Sequence, residues 1–358
     1  MNFKKHFAGK KIIVTGHSGF KGSWLTLWLN SLGAKVIGIS LDAPTKPSHL
    51  EALNLKKKIT EKKIDIRKID EIKKIFKKNK PDYVFHLAAQ SLVKRSYKEP
   101  ILTWDTNALG TRNILECLRI LKKKCVAIFI TSDKSYRNLE LKRGYRENDV
   151  LGGFDPYSSS KASAELVINS YVHSYFTKNK NNVLIGIARA GNVIGGGDWS
   201  SDRLIPDCVK SWSRKKTANI RNPNSTRPWQ HVMEALSGYL MFAIKLKKNH
   251  KLHGQAFNFG PNNSSNFKVI NLVNLMNIYW KNVSWKIVKK EKFYESGLLK
   301  LNSSKAKKLL GWKSILNFRE CTKLVAVWYK EYYNNRKNAY ELSLGQIQNY
   351  QKLLKKRL

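Results

Sequence analysis

Three glycines, Gly16, Gly19 and Gly22 in "VTGHSGFKGSWL", follow the apolar run "KKIIVTG" and open a helical pattern from Phe20 to Leu32. A phosphate bound by backbone N–H groups needs the chain to turn tightly and come close, and glycine permits both. A lone glycine triplet says little. Set between a buried strand and a helix near residue 12, at the head of an alternating array, it marks a nucleotide-binding crossover.

The array continues through the first half. "AKVIGIS" reads as a second strand, "KKIDI" as a short third and "IDEIKKIFKKN" as an amphipathic helix stopped by Pro81. "DYVFHLAA" is a fourth strand, residues 101–121 a long helix, "VAIFITS" a fifth strand, 158–176 a helix and "NVLIGIARA" a sixth strand. Strands apolar on both sides, alternating with helices, predict an α/β fold: a Rossmann-type, doubly wound parallel sheet. After about Gly191 the alternation fails, and helices return near 232–246 and 318–333. The expected division is a nucleotide-binding domain over 1–190 and a smaller C-terminal α/β substrate lobe over 191–358, with an interleaved boundary. The last stretch, "QNYQKLLKKRL", reads as a basic helical tail.

The charge is extreme: 67 Lys and Arg against 25 Asp and Glu, a formal +42. Such an excess suggests nucleic acid or an anionic membrane. No base-reading motif accompanies it, and Lys, Asn and Ile are abundant together, so compositional drift explains it better; neither nucleic acid nor membrane is expected as a partner. No run reaches about 18 apolar residues, as a span would need. Cys117, Cys125, Cys208 and Cys321 are widely spaced, which fits a reduced, cytoplasmic setting without disulfides or zinc. His250 and His253 form an H-x-x-H with no companion ligand, so no metal site is expected.

Two stretches carry chemistry. In "DPYSSSKASAEL", Tyr157 and Lys161 lie four apart at a helix start and share a face. An ammonium nearby, with a cationic nicotinamide, would favour the phenolate of a tyrosine whose ordinary pKa is about 10. In "TSDKSY", Asp133 and Lys134 stand side by side at the exit of the fifth strand, either as a solvated turn or as a catalytic pair. Asp42, 20 residues beyond Gly22, stands where an acid would bond ribose hydroxyls, and no arginine follows to receive a 2′-phosphate, favouring NAD over NADP.

The glycine triplet, "HLAA", Asn107 and Tyr157-x-x-x-Lys161 resemble the extended short-chain dehydrogenase/reductase superfamily, over nearly the whole chain down to "SSKAKKLLGW". More narrowly, "TGHSGFKGSWL", "HLAAQSLVKRSY", "TSDKSY", "ARAGNVIGGGDW", "RLIPD" and "IRNPNSTRPWQHV" resemble the CDP-glucose 4,6-dehydratase family. The resemblance implies a lyase that binds NAD and converts CDP-glucose to CDP-4-dehydro-6-deoxy-D-glucose for surface-polysaccharide dideoxysugars. It implies cofactor contacts from Gly16, Ser18, Gly19, Phe20, Gly22, Asp42, Asp65, Ile66, Leu87, Ala88, Ala89, Asn107, Tyr157 and Lys161. It assigns Tyr157 to the 4-hydroxyl, Ser132 to polarising the 4-oxygen, and Asp133 with Lys134 to the elimination. Position makes Asp133 the acid and Lys134 the base. Ordinary pKa values of about 3.9 and 10.4 favour the reverse, so the roles stay open.

Asn192, Arg203, Arg221, Arg227 and His231 are the expected substrate contacts, with guanidinium groups suited to a diphosphate. A homodimer or higher homo-oligomer is expected. The rival readings are another nucleotide-sugar 4,6-dehydratase or an epimerase of the superfamily, and, outside enzymes, a basic NAD-binding scaffold on RNA or membrane surfaces.

Overall fold

The structure is a computed structural model and describes residues 2–176, 182–261, 266–281, 283–288, 298–335 and 338–357. Seven strands form the central sheet: β1 (Lys11–Thr15), β2 (Lys35–Ser40), β3 (Thr60–Lys63), β4 (Tyr83–His86), β5 (Cys125–Ile130), β6 (Val183–Ala190) and β7 (Ala256–Phe259). Their order is β7-β6-β5-β4-β1-β2-β3, and every pairing in this sheet is parallel. Residue pairs Ile13 with Ile37 and Ile13 with Val84 fix the register at the centre. The direction of strand progression reverses between β1 and β4, which opens a crevice at their C-terminal ends.

The principal helices are α1 (Phe20–Ser31), α2 (Ile69–Asn79), α3 (Gly110–Arg119), α4 (Pro156–Tyr171), α5 (Val232–Lys248), α6 (Phe318–Tyr333) and α7 (Ala339–Arg357). Strand β5 shows why its sequence is apolar throughout. Val126, Ile128 and Ile130 face a core shared with Trp24, Leu236, Trp328 and Tyr350 of α1, α5, α6 and α7. Cys125, Ala127 and Phe129 face the opposite core, with Phe76, Leu115 and Ile168 of α2, α3 and α4. Burial on both faces removes the alternation that a half-exposed strand would show.

The expected third strand sits two residues earlier, at Thr60–Lys63, and is mostly exposed because it forms the sheet edge. The long helix expected over 101–121 is broken. A helix over Pro100–Trp104 passes into a wide turn at Asp105–Leu109 before α3 begins. The widened turn brings Asn107 inward, where its amide binds both backbone groups of Gln90 and the Ser160 hydroxyl. The fourth strand stops at His86, and residues 87–89 become a loop lying against the glycine turn.

Strand β7 and α5, both beyond Gly191, belong to the sheet and its covering layer. The remaining C-terminal residues build a flank from short strand pairs, among them 218–220 with 285–287 and 226–227 with 267–268. The basic C-terminal segment is a docked helix. Tyr350 donates to the buried Glu234 at 3.0 Å, and Arg357 pairs with Glu320 at 2.8 Å.

Candidate active site

The glycine turn is held too tightly for side chains. Gly16 has φ +72°, and a β-carbon on it would come within 2.6 Å of the Ala88 nitrogen. A β-carbon on Gly22 would overlap the Gly16 carbonyl. Gly19 caps α1 without a side-chain acceptor, so the first N–H groups of the helix face the crevice. Thr15 and His86 lock the floor. His86 Nδ1 meets Thr15 Oγ1 at 2.7 Å and its Nε2 meets Thr111 Oγ1 at 3.1 Å, while Ala88 donates to Thr15 at 3.3 Å. This cradle fits a diphosphate approached by backbone alone.

Gly16, Ser18, Gly19, Phe20 and Gly22 follow β1, Asp42 follows β2, Asp65 and Ile66 follow β3, and Leu87, Ala88 and Ala89 follow β4. They therefore line the C-terminal edge of neighbouring strands, as an extended dinucleotide needs. Three of the expected cofactor contacts, Asp42, Asp65 and Asn107, are already engaged. Asp42 is exposed and paired with Lys63 at 2.6 Å, with Lys56 and Lys46 also lowering its pKa. Asp42 lacks a basic neighbour in sequence, but β3 supplies one in space. Asp65 chelates Arg67, and Asn107 is committed to the Gln90 loop, so it shapes the site through that loop. Ile66 packs against Gly110, where a β-carbon would come within 2.5 Å of its Cδ1.

The catalytic candidates converge from two elements. Asp155 caps α4, its Oδ1 accepting Ser158 N–H at 3.0 Å, with Pro156 at the first helical position. This sets Tyr157 and Lys161 on the face turned to the end of β5. There Ser132 stands beside the Tyr157 phenol, whose pKa it lowers, and donates to Asp133 Oδ1 at 2.9 Å. Lys134 N–H donates back to Ser132 Oγ at 3.2 Å. Asn192, in the left-handed region at φ +51°, donates to Asp133 Oδ2 at 3.5 Å.

Burial pushes the Tyr157 phenol up to about 12, with Asp133 and Asp155 adding to the effect and Ser132 and Arg203 opposing it. Burial drives Lys161 itself down to about 7, and the neighbouring Lys21 lowers it further. Sequence reasoning missed Lys21. Burial holds it down to about 8, Arg203 adds to the effect, and Asp133 opposes it. Its signal was a lysine between the second and third glycines of an otherwise small and apolar turn. Gly191 was missed too: its α-carbon lies under the Asp133 carboxylate, leaving no room for a β-carbon.

Of the expected substrate contacts, Arg203 is near the centre and pairs with Asp198 at 2.9 Å. Arg221 reaches Asp202 at 3.3 Å and Asp207 at 3.8 Å, and Lys94 crosses from the residues after β4 to Asp202 at 2.7 Å. Arg227 donates to the Thr226 carbonyl at 2.9 Å in the flanking strand pair. His231 is fully buried at the start of α5, where its Nδ1 accepts Met233 N–H at 3.3 Å beside Trp24. Burial depresses it to about 3, so it supplies no charge to a phosphate. His253 accepts Ile185 N–H at 2.9 Å, and the described residues contain no cluster able to hold a metal.

The family model described as GDP-mannose 4,6 dehydratase matches residues 13–325. The chain is 43% identical over 331 residues to the CDP-glucose 4,6-dehydratase of Salmonella typhimurium strain LT2, covering 91% of this chain and 92% of that one. It is 26% identical to the UDP-glucose 4-epimerase of Mycoplasma pneumoniae, over 71% of this chain and 78% of that one. Among solved structures it is similar to the epimerase Mth375 of Methanothermobacter thermautotrophicus, with TM-score 0.79 and 25% identity over 93% of this chain and 96% of that one. The NAD complex of dTDP-glucose 4,6-dehydratase from Bacillus anthracis superposes with TM-score 0.74 at 23% identity, covering 92% of this chain and 100% of that one, a likeness of fold.

Proposed function

The chain belongs to the GDP-mannose 4,6-dehydratase family, of extended short-chain dehydrogenase/reductase fold, and from that membership we propose that it is an NAD-dependent CDP-glucose 4,6-dehydratase. The product is CDP-4-dehydro-6-deoxy-D-glucose, with loss of water. The observation that carries this reading is the company Tyr157 keeps. A plain dehydrogenase or 4-epimerase needs only a proton acceptor and a hydroxyl donor at C4. Here a carboxylate and an ammonium, Asp133 and Lys134, follow directly on Ser132. The 43% identity to a CDP-glucose 4,6-dehydratase over nine-tenths of the chain gives the base and the sugar.

In this reading the glycine cradle of Gly16, Gly19 and Gly22 would hold NAD, whose nicotinamide would supply a hydride acceptor for C4 and a hydride donor for C6. Tyr157 takes the proton of the 4-hydroxyl, and Ser132 orients that oxygen. Both are fixed before substrate arrives, which lowers the cost of reaching the reactive geometry. The C4 ketone makes the C5 proton acidic. One of Asp133 and Lys134 removes it, the other protonates the 6-hydroxyl as it leaves as water, and the group that took the C5 proton returns it to C5 when hydride is delivered to C6. Arg203 and Arg221 exchange their carboxylate partners for the substrate diphosphate.

Finer features belong to the same proposal. The protein acts in the cytoplasm in a surface-polysaccharide pathway, and no helix of the described residues is long and apolar enough to cross a membrane. It is a homodimer at least. Ile101 and Trp104 on the helix before α3, Leu109 in the wide turn that follows it and Leu166 on α4 expose large apolar side chains.

The test is to incubate the protein and NAD with CDP-, dTDP-, UDP- and GDP-hexoses and detect a 4-keto-6-deoxy sugar. Product from CDP-glucose alone or best is expected. Turnover confined to another base, or epimerisation without water loss, would refute the assignment.

A further inference from the structure

Thr131 immediately precedes Ser132, Glu165 lies one helical turn beyond Lys161, and Arg189 precedes Gly191 by two residues. The fold brings these three together in a dry knot behind the catalytic groups. Glu165 is fully buried and Arg189 is 3% exposed. Arg189 Nε meets both Glu165 oxygens, at 2.9 and 3.0 Å, and Thr131 Oγ1 donates to Glu165 Oε1 at 2.7 Å. The guanidinium then reaches one residue further into the site. Its Nη1 donates to the Tyr136 hydroxyl at 2.6 Å, and that hydroxyl donates to Asn258 Oδ1 on β7 at 2.9 Å.

The turn carrying Asp133 and Lys134 is thus anchored at both ends. Thr131 holds its entry through Glu165, and Tyr136 holds its exit through Arg189. Between them the turn closes on itself, Ser135 N–H to Ser132 at 3.2 Å and Tyr136 N–H to Asp133 at 3.3 Å. Tyr157 and Lys161 need no such exit anchor, because α4 has its own Asp155 cap. A buried ion pair is a weak source of net stability, but one whose hydrogen bonds are all satisfied fixes geometry well.

We infer that Tyr136 is a positioning residue for the elimination step: its hydroxyl, held by Arg189 and Asn258, sets where Asp133 and Lys134 stand relative to C5 and C6, while oxidation at C4 is independent of it. The inference rests on the dehydratase reading above.

The test uses the full chain with NAD and CDP-glucose, and compares wild type, Tyr136→Phe and Tyr145→Phe. Phenylalanine at 136 keeps the stacked ring and removes only the hydroxyl. Tyr145 stacks on Tyr136 with centroids 5.0 Å apart, but its hydroxyl serves Leu139 and Asn138 instead. The readout is a ratio, product formed per enzyme-bound NADH formed, which a loss of folded protein leaves unchanged. Tyr136→Phe is expected to form NADH within about threefold of the wild-type rate and to make product at least tenfold more slowly, with NADH accumulating and C5 deuterium exchange falling. Tyr145→Phe is expected to keep the wild-type ratio. An unchanged ratio in Tyr136→Phe, or a parallel fall of both steps, would overturn the inference and leave the function intact. A wild-type chain that makes no 4-keto-6-deoxy product would overturn the function, and the inference with it.

Discussion

The Asp133 carboxylate rests on the α-carbon of Gly191, and a β-carbon at position 191 would overlap it. Gly191 is not in the left-handed region, so glycine stands there for space and not for backbone conformation. Gly191→Ala should therefore displace Asp133 and lower turnover at least tenfold, equivalent to about 1.4 kcal/mol in the barrier. NAD affinity should stay within about twofold, because the cradle lies on other strands. Steady-state turnover and an NAD titration check both; wild-type turnover in this variant would mean that Asp133 can shift without consequence.

Tyr157→Phe should abolish the first half-reaction. Loss of a positioned general base costs roughly 10²–10⁴-fold. Rapid mixing with CDP-glucose should show no early rise in NADH absorbance. Lys161→Ala should be as severe, because it removes the side chain that lies one helical turn from the phenol on the same face. An NADH transient at the wild-type rate in Tyr157→Phe would remove the residue from its role.

Asp133→Asn and Lys134→Met should still form enzyme-bound NADH while making little product. Deuterated water separates their roles. The variant lacking the C5 base should return substrate without deuterium at C5, and the variant lacking only the acid should exchange C5 without losing the 6-hydroxyl. Product at near-native rates from both would identify "TSDKSY" as a solvated turn.

Asp42 and Lys63 make opposite predictions for the cofactor. An acid here accepts ribose hydroxyls, and a lysine here could receive a 2′-phosphate. Asp42→Ser should weaken NAD roughly tenfold, the order expected for losing hydrogen bonds to a charged acceptor. Lys63→Ala should leave NAD bound and widen its margin over NADP. Calorimetric titration with both nucleotides decides; tighter NADP binding in the wild type would overturn the Asp42 assignment.

Glu234 gives a stability prediction. Its Oε1 accepts Ile315 and Leu316 N–H at 3.0 and 2.7 Å, and burial pushes its pKa up to about 7. Because the folded value lies above the unfolded one, the folded chain holds the extra proton between about pH 4.5 and 7, and stability falls as pH rises through that window. Glutamine keeps the acceptor and removes the charge. Glu234→Gln should thus melt higher than wild type at pH 8, by a few degrees, with little difference at pH 4.5. Parallel melting curves across that range would refute the shift.

Much of the first half could be read from pattern because its strands are buried on both faces. "CVAIFI" is apolar at every position for that reason, and the helix after it begins at an Asp-Pro pair whose capping role is local. What escaped depends on distant partners. Nothing in "AFNF" announces a seventh strand; it is one because β6 offers it an edge. His231 lies among residues that resemble a substrate site, yet the start of α5 buries it against Trp24. Lys63 and Asp42 are 21 residues apart and meet only because β2 and β3 pair. Lys21 comes near Asp133 and Arg203 because α1 packs against the residues that follow β6, where Trp24 donates to the Gly196 carbonyl.

The late arrival of β7 sets a schedule for synthesis. β6 ends at Ala190, and the strand that covers its outer edge ends at Phe259, about 70 residues later. At roughly 5–20 residues per second a ribosome needs about 4–14 s to deliver it. Through that interval the nascent chain carries an apolar strand with one side of its backbone unpaired, a template on which a neighbouring chain could add a strand. Growing polypeptides of this protein should draw holding chaperones most strongly in that window, and release them as Phe259 clears the exit tunnel.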